Sequence, residues 1–161
     1  MEVPNKQEIL LIGGWNTYTR ILKFDIETQT FEEMSVSLLK ERHFHTCARL
    51  PDTNLIVITG GRDSNFNKQD TSEILDLDGN TNSIGNSMNT KKIGHGMAMI
   101  TIDNEDRLAV FGGQDENWDY LESVETLNPK TRKWEVSDLK LKQAKGYFGY
   151  TSVPNNFLSK I

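Results

Sequence analysis

The sequence predicts an all-β protein built from repeated four-stranded antiparallel units, and three observations support this. Short runs rich in Ile, Leu and Val, such as 9–12 and 55–58, are bounded by Gly, Asn, Asp and Pro, which is typical of strands. No stretch keeps a helical spacing of apolar residues over three turns. The same order of motifs then recurs about every 50 residues, which indicates a repeat architecture.

Three glycine doublets mark the repeat. Each doublet ends an apolar run, as in EILLIGG, NLIVITGG and RLAVFGG, and a polar loop of variable length follows it. A second apolar run then ends at an Asp or Asn, and a large apolar side chain stands six residues later. The motif residues are Gly13, Gly14, Asp25 and Phe31, then Gly60, Gly61, Asp78 and Ile84, then Gly112, Gly113, Asn128 and Trp134.

A second matched segment supplies one more strand per repeat. Its copies are RHFHTCARL at 42–50, KIGHGMAMI at 92–100 and KGYFGYTSV at 145–153. The alignment places His45, His95 and Phe148 in one slot of that strand. Each complete repeat therefore has four predicted strands, which in the second repeat are a (42–50), b (55–59), c (73–78) and d (roughly 82–87).

Four strands repeated at this period are typical of a β-propeller. Glycine suits the crowded exit from strand b, a Trp or Phe fills the gap between blades, and Asp or Asn bonds its own backbone at the c–d turn. We expect two complete blades with partial blades at both ends, in a single partial propeller with repeats at roughly 8–34, 42–88, 92–139 and 144–161. Propellers have ~4–8 blades, so we expect further blades or a second chain to close the ring.

The repeat resembles the kelch repeat family over nearly the whole chain. The resemblance rests on the glycine doublets, the hydrophobic–Asp pairs and the aromatic residue after them. It implies a protein-binding scaffold that recognises a partner through the loop-bearing end of the ring. In many kelch proteins a BTB domain couples the propeller to a cullin-type ubiquitin ligase, and others bind actin. Substrate recognition for such a ligase and cytoskeletal binding are therefore the expected roles.

The loops at one end of the ring are the predicted binding surface. Antiparallel strands alternate direction, so the b–c and d–a connections share an end, and variable loops on a regular scaffold commonly carry binding. The d–a connections are rich in Lys and Arg, which predicts a basic channel mouth and an acidic peptide partner. The acidic loop at 115–122 supports the alternative that it masks this rim or binds a basic partner. The predicted binding residues are Trp15, Tyr18, Arg42, Arg62, Phe66, Lys92, Trp118, Tyr120 and Lys145.

The kelch resemblance also suggests an enzymatic alternative. Propellers similar to galactose oxidase or the sialate epimerases place polar chemistry at the channel mouth, and the candidates here are His45, Cys47, His95 and Tyr150. Their spacing is the repeat spacing, which favours packing roles over a ligand set. We therefore predict no catalytic residue, no metal, no cofactor and no enzymatic activity.

Composition excludes several other classes. The 161 residues are 36% hydrophobic and carry a net charge of −5, which disfavours nonspecific binding to nucleic acid. No apolar run approaches the ~20 residues of a membrane-spanning helix. The opening MEVPNKQE does not resemble a signal peptide, and Cys47 is the single cysteine. We expect a cytoplasmic protein with no membrane or nucleic-acid partner.

Overall fold

The protein is seen here in a computed structural model that describes residues 2–3, 8–128 and 130–151, with 2–3 described by their backbone alone. These residues form three four-stranded antiparallel sheets, each a simple meander, and no helix. Blade 1 contains β1 (Glu2–Val3), β2 (Glu8–Ile12), β3 (Ile21–Asp25) and β4 (Thr30–Glu33). Blade 2 contains β5 (Thr46–Arg49), β6 (Leu55–Thr59), β7 (Ser72–Asp76) and β8 (Thr81–Ile84). Blade 3 contains β9 (Gly96–Ile102), β10 (Glu105–Phe111), β11 (Ser123–Leu127) and β12 (Trp134–Lys140).

The predicted all-β class and blade architecture are confirmed, with differences at the two ends of the chain. In blade 1 the short strand β1 pairs with β2 and occupies the place of strand a, which the sequence pattern did not reveal. The predicted strand at 145–153 is not formed over 145–151, and 152–153 lie outside the described residues. The physical reason is that a strand needs a ladder partner, and the described residues provide none beside this segment. Among the described residues no helix has the length and apolarity to cross a membrane.

Two apolar cores hold the blades together. Alternation along β6 sends Ile56 and Ile58 toward blade 1 and Val57 toward blade 3, so the middle blade buries both of its faces. The first core joins Leu10, Ile21 and Leu38 to Ile56, Ile58 and Leu75. The second joins Val57 and Met88 to Met97, Leu108, Val110 and Trp134.

The aromatic residue of strand d has different surroundings in the outer blades. Trp134 is buried against blade 2, and its indole Nε1 donates a hydrogen bond to the Asn86 carbonyl. Phe31, at the same position of blade 1, is 61% exposed and packs on Phe24 with ring centroids 4.6 Å apart. The described residues place no sheet against this face of blade 1. The face is therefore the one a preceding blade would cover.

The turn of blade 2 corrects the sequence alignment. Asp25 and Asn128 each accept backbone N–H bonds within their c–d turns, as predicted for these positions. In blade 2 this role belongs to Asp76, whose Oδ1 accepts from the N–H groups of Asp78 and Gly79. The motif residue is thus Asp76 rather than Asp78, because strand β7 ends two residues before the end of the apolar run.

The position in strand d that was predicted to carry a large apolar residue is shifted by the same two residues in blade 2. Phe31 pairs with Phe24 across its strands, and Trp134 pairs with Leu127. The corresponding pair in blade 2 is Leu75 with Asn82, so Asn82 holds the aromatic position and Ile84 is exposed. Blade 2 therefore lacks a large side chain at this place.

The glycine doublets connect neighbouring blades. The N–H of the second glycine donates to a carbonyl of the next d–a connection: Gly14 to Arg42, Gly61 to Lys92 and Gly113 to Lys145, at 2.7–3.0 Å. Both glycines of each doublet have positive φ. A Cβ on Gly60 would lie 2.6 Å from the Lys92 carbonyl oxygen and from His95 Cε1. The first glycine is required for backbone conformation and for close approach of the next blade.

We expect Gly60→Ala to lower the free energy of unfolding by about 2 kcal/mol or more, since it combines left-handed strain with a backbone clash. The measurement is urea unfolding followed by tryptophan fluorescence. Gly149→Ala is the matched control, because nothing lies within 4 Å of its added Cβ and its φ is not positive. The control should change stability by less than about 0.5 kcal/mol. Equal effects of the two substitutions would contradict this account of the doublet.

Candidate binding surface at the b–c loop end

The predicted basic rim is not formed by Arg42 and Lys92, because both side chains are 0% exposed. Arg42 Nε donates to Glu73 Oε1 at 2.8 Å, and its Nη1 donates to the Gly60 carbonyl at 2.7 Å. Burial lowers the pKa of the Arg42 guanidinium, and the neighbouring Glu73 opposes that shift. Each of these cations is held inside its own blade by a glutamate of strand c, so both have a structural role and do not reach the surface.

Lys92 repeats the arrangement one blade further along. Its Nζ lies 2.8 Å from Glu125 Oε1, although the approach is too poorly aligned to count as a hydrogen bond, so the contact is ionic in character. Glu73 and Glu125 occupy the same strand position, opposite the residue that lies two places before the first glycine. Blade 1 has Leu22 at this position.

The remaining d–a cations are mostly paired or exposed. Lys91 pairs with Glu116 at 3.0 Å, and Lys140 pairs with Glu122 at 3.0 Å. Lys145 is exposed and has no carboxylate within 4 Å among the described residues. The excess positive charge counted along these segments is therefore largely cancelled, with Lys145 as the predicted rim residue that stays on the surface.

Aromatic side chains dominate the loop end instead. Hydrogen bonds between b–c and d–a segments, including the reciprocal backbone pair of His43 and Arg62, show that these connections lie together. They bring five predicted aromatic residues into the neighbourhood of two that the sequence analysis missed, Phe44 and Tyr147. We call the group the aromatic surface: Trp15, Tyr18, Phe44, Phe66, Trp118, Tyr120 and Tyr147.

Five members of the aromatic surface form a chain of ring contacts through His43, and Trp118 joins the group through Lys68. Trp15 meets the His43 ring at 5.0 Å and the Phe66 ring at 6.0 Å, measured between centroids. Phe44 meets Tyr147 edge to face at 5.6 Å. The patch therefore crosses from blade 1 through blade 2 to the segment that follows blade 3.

Two nearly identical loops each present an exposed ring. The loops GGRDSNF and GGQDENW begin at Gly60 and Gly112. Asp63 Oδ1 accepts from the backbone N–H of residues 65 and 67, and Asp115 Oδ1 accepts from those of residues 117 and 119. Each Asp thereby orders a turn that holds the ring-bearing residue at positive φ. These residues are Phe66 (φ 69°, 54% exposed) and Trp118 (φ 68°, 56% exposed).

Phe44 and Tyr147 share a slot with a glycine, within the segments that the sequence analysis interpreted as strand a. Gly94 occupies that slot in the middle copy of the segment, and all three residues have positive φ. Gly94 N–H donates to the Phe44 carbonyl, and Tyr147 N–H donates to the Gly94 carbonyl. The Tyr147 ring lies over Gly94, where a Cβ would come within 2.8 Å of it. An aromatic residue aligned with a glycine was the available signal in the sequence.

Two cations lie among the rings in the b–c loop of blade 2. The Arg62 guanidinium carbon lies 5.0 Å from the centroid of Phe44 and 4.8 Å from that of Phe66. Lys68 Nζ lies 3.7 Å from the Trp118 centroid and donates to the Asp115 carbonyl. Burial lowers the pKa of Lys68, which the Asp115 charge opposes. The loop end thus has positive charge within aromatic walls, at Arg62 and Lys68.

The residues of the enzymatic alternative lie in packing positions. His95 Nε2 is 2.9 Å from Thr59 Oγ1, and His45 lies against Gly13 as His95 lies against Gly60. Desolvation by burial, with help from nearby cations, lowers the pKa of His45 to about 4 and that of His95 to about 3. Burial raises the pKa of the Cys47 thiol, and the Tyr150 hydroxyl bonds Thr46. No group of three potential metal ligands occurs among the residues that the structure describes.

A separate concavity lies between two neighbouring blades. It has a volume of about 740 Å³ and lies between the sheets of blades 2 and 3, with Leu50, Ile74, Met99 and Leu127 among its lining residues. Blade 2 has Ser72 and Gly85 where blade 1 has Ile21 and Met34, judged by their strand partners and turn hydrogen bonds. Small residues at these positions leave the space between the two sheets less filled.

Residues 106–137, which span most of blade 3, match the family model described as the Kelch motif. This segment is similar to a kelch repeat. The matched residues run from β10 to β12, so they contain the third glycine doublet and Trp134, and this confirms the predicted resemblance. No curated protein matches the sequence.

A solved structure of a protein named YjhT, a kelch-type propeller, is similar to this chain. The TM-score is 0.64 at 13% sequence identity, and the match covers 89% of this chain and 53% of that chain. At this identity the likeness shows the fold. The chain spans about half the length of the structure that it matches, and the three described sheets have the fold of a partial kelch-type β-propeller.

Proposed function

We propose that the kelch-repeat chain is a protein-interaction module that binds a peptide segment of a partner protein across the aromatic surface. One observation carries the proposal: two matching loops hold Phe66 and Trp118 exposed and at positive φ. A bulky residue in this conformation is uncommon and costs on the order of 1–3 kcal/mol. Strain of this kind concentrates at binding sites, where exposed aromatic side chains serve as anchors.

Some members of the aromatic surface are better explained by packing. Trp15 and Tyr18 both rest on the buried His43 ring, so they cover the edge of blade 2 as well as facing solvent. Phe66 and Trp118 contribute cation contacts to Arg62 and Lys68, yet more than half of each side chain stays accessible. These two residues are therefore the proposed anchors, with Tyr120 and Tyr147 beside them.

Kelch repeats in general mediate protein interactions, and this supports two more specific roles for the proposed surface. Substrate recognition for a cullin-type ubiquitin ligase and binding to the cytoskeleton both require this kind of surface, and we propose them as the roles to test once a partner is known. Catalysis is not proposed, since His45 and His95 lie in packing slots against glycine doublets.

A displayed random-peptide library, panned on the full chain, tests the proposed function. We expect enriched peptides to bind at least about tenfold more weakly to the Phe66→Ser/Trp118→Ser variant, because losing an aromatic anchor costs about 2 kcal/mol or more. Fluorescence polarisation of labelled peptides gives the affinities. Phe31→Ser is the matched control, since Phe31 is equally exposed but belongs to the open face of blade 1. Peptides that bind the double variant and the wild type equally would refute the proposal.

A further inference from the structure

Resting on the proposed function, we propose that Arg62 is the carboxylate-binding residue of the aromatic surface, and that the charge of the largely buried Lys68 assists it from nearby without touching the ligand. The recognised peptide then carries an Asp or Glu next to apolar side chains that rest on Phe66 and Trp118. This places the charge recognition in the b–c loop of blade 2 rather than on the d–a cations Arg42 and Lys92, which are buried.

Arg62 is held in one orientation from three sides. The rings of Phe44 and Phe66 lie at similar distances from its guanidinium carbon, 5.0 and 4.8 Å. Its Nε donates to His43 Nε2 at 2.8 Å. Within the described residues its two Nη groups make no hydrogen bond or ion pair. These are the groups that would form the two parallel bonds of an Arg–carboxylate fork.

His43 holds Arg62 without neutralising it. The imidazole is 2% exposed and accepts at Nε2, so the proton of the neutral ring is on Nδ1. Burial and the Arg62 charge both lower the pKa of His43, which favours this neutral form. The His43 ring therefore orients the guanidinium, and the Arg62 charge remains available for a ligand.

The positive groups of this part of the surface lie directly against the aromatic rings. Lys68 forms a backbone bridge with Arg62, and its Nζ donates to a carbonyl oxygen, that of Asp115, in addition to its contact with the Trp118 ring. The Asp63 and Asp115 carboxylates each accept two backbone N–H bonds inside their own loops. The carboxylates keep their charge but are turned toward their own loop backbones, whereas the cations face the rings, so the position of the cations and not a net positive charge favours an anionic ligand there.

The positive charge of Arg62 is specific to blade 2 and is not a feature of the repeat. Trp15, Arg62 and Gln114 occupy the same place after their doublets, so the blade scaffold does not require an arginine there. Gln114 Nε2 donates to the Trp118 carbonyl inside its own loop. Arg62→Gln therefore introduces a residue that an equivalent loop already accepts, which makes it a mild substitution for the fold.

The experiment compares enriched library peptides on wild type, Arg62→Gln and Arg62→Lys, with Lys142→Gln as an exposed-cation control. We expect enrichment of Asp or Glu and at least about tenfold weaker binding to Arg62→Gln. Arg62→Lys should restore less than half of that loss, because an ammonium lacks the planar fork. Changing the peptide acid to its amide should weaken binding to wild type and leave binding to Arg62→Gln unchanged. Thermal unfolding of each variant verifies that it is folded.

The possible outcomes separate the two proposals. Amidation of the peptide C-terminus distinguishes a terminal carboxylate from a side-chain one, and loss of binding on that change alone assigns the site to a chain end. Peptides that need Phe66 and Trp118 but carry no required acid overturn the Arg62 site and leave the proposed function standing. Failure to enrich any peptide that depends on the aromatic surface overturns both.

Discussion

Replacing Arg42 by Met is expected to lower the free energy of unfolding by about 3–5 kcal/mol, the cost of breaking a buried ion pair. The substitution leaves the Glu73 carboxylate with no solvent and no cation, since both side chains are 0% exposed. It also removes donors to the Gly60 carbonyl and to the Thr71 carbonyl and hydroxyl. A loss of this size approaches the whole stability of a small domain. Urea unfolding at pH 7 measures it.

A surface pair and a second buried pair provide the controls. Lys140→Met breaks the exposed contact with Glu122 and should cost less than about 1 kcal/mol. Lys92→Met should cost less than Arg42→Met, because Lys92 contributes a single ionic contact where Arg42 donates to three residues. A cost for Arg42→Met as small as that for Lys140→Met would show that the network does not hold the d–a connection against blade 2. Limited proteolysis of Arg42→Met gives a readout even if the variant does not refold.

The Arg42 network also limits what a compensating substitution achieves. Blade 1 has Leu22 at the glutamate position, so Arg42→Met/Glu73→Leu removes both charges and places at position 73 a residue that blade 1 already has there. Glu73 additionally accepts from the N–H groups of Leu39 and Lys40, which the double variant leaves unpaired. We therefore expect the double variant to recover part of the loss and to remain below wild type by about 1–3 kcal/mol.

The repeat was predictable because its residues act through the backbone. A glycine at positive φ or an Asp that closes a turn leaves the same signature in every copy, so Gly13, Gly60 and Gly112 could be aligned from their sequence spacing alone. The error at Asp78 came from the apolar run of blade 2, where Leu77 extends the pattern past the end of the strand. Apolar spacing cannot by itself show where a ladder stops.

The binding surface was harder to predict because it depends on the direction and contacts of side chains. Sequence spacing shows only where the backbone of each residue lies. The backbones of Arg42 and Lys92 lie at the b–c loop end, but their side chains turn inward to glutamates that are more than thirty residues away in the sequence. Spacing alone gives no reason to pair these residues. Phe66 and Trp118 were found because long polar loops expose what they carry. Phe44 was missed because it lies inside a segment interpreted as a buried strand.

Acidification below pH 6.5 is expected to destabilise the protein through two histidines. The pKa values of His45 and His95 in the folded chain are about 4 and about 3, against roughly 6.5 when unfolded. The unfolded chain therefore binds protons first as the pH falls, and stability is lost from pH 6.5 down to these folded values. At pH 5 the loss is about 2 kcal/mol for each histidine. Urea unfolding at half-unit steps from pH 7.5 to 5 measures the slope.

Two substitutions isolate the histidine contribution to that slope. His45→Phe copies Phe148, which holds the same slot against Gly112, and His95→Gln keeps a partner for Thr59. Each should remove a similar share, somewhat less than half, of the pH dependence between 6.5 and 5, because the lowered pKa of His43 also contributes in this range. The exposed carboxylates with lowered pKa values, such as Asp25 and Glu105, lose their contribution only as the pH falls through those lower values. In wild type, NMR should show the His95 ring protons unshifted from pH 7.5 to 5. A His95 midpoint near 6.5 would mean that the imidazole is solvated and that blade 3 does not cover it.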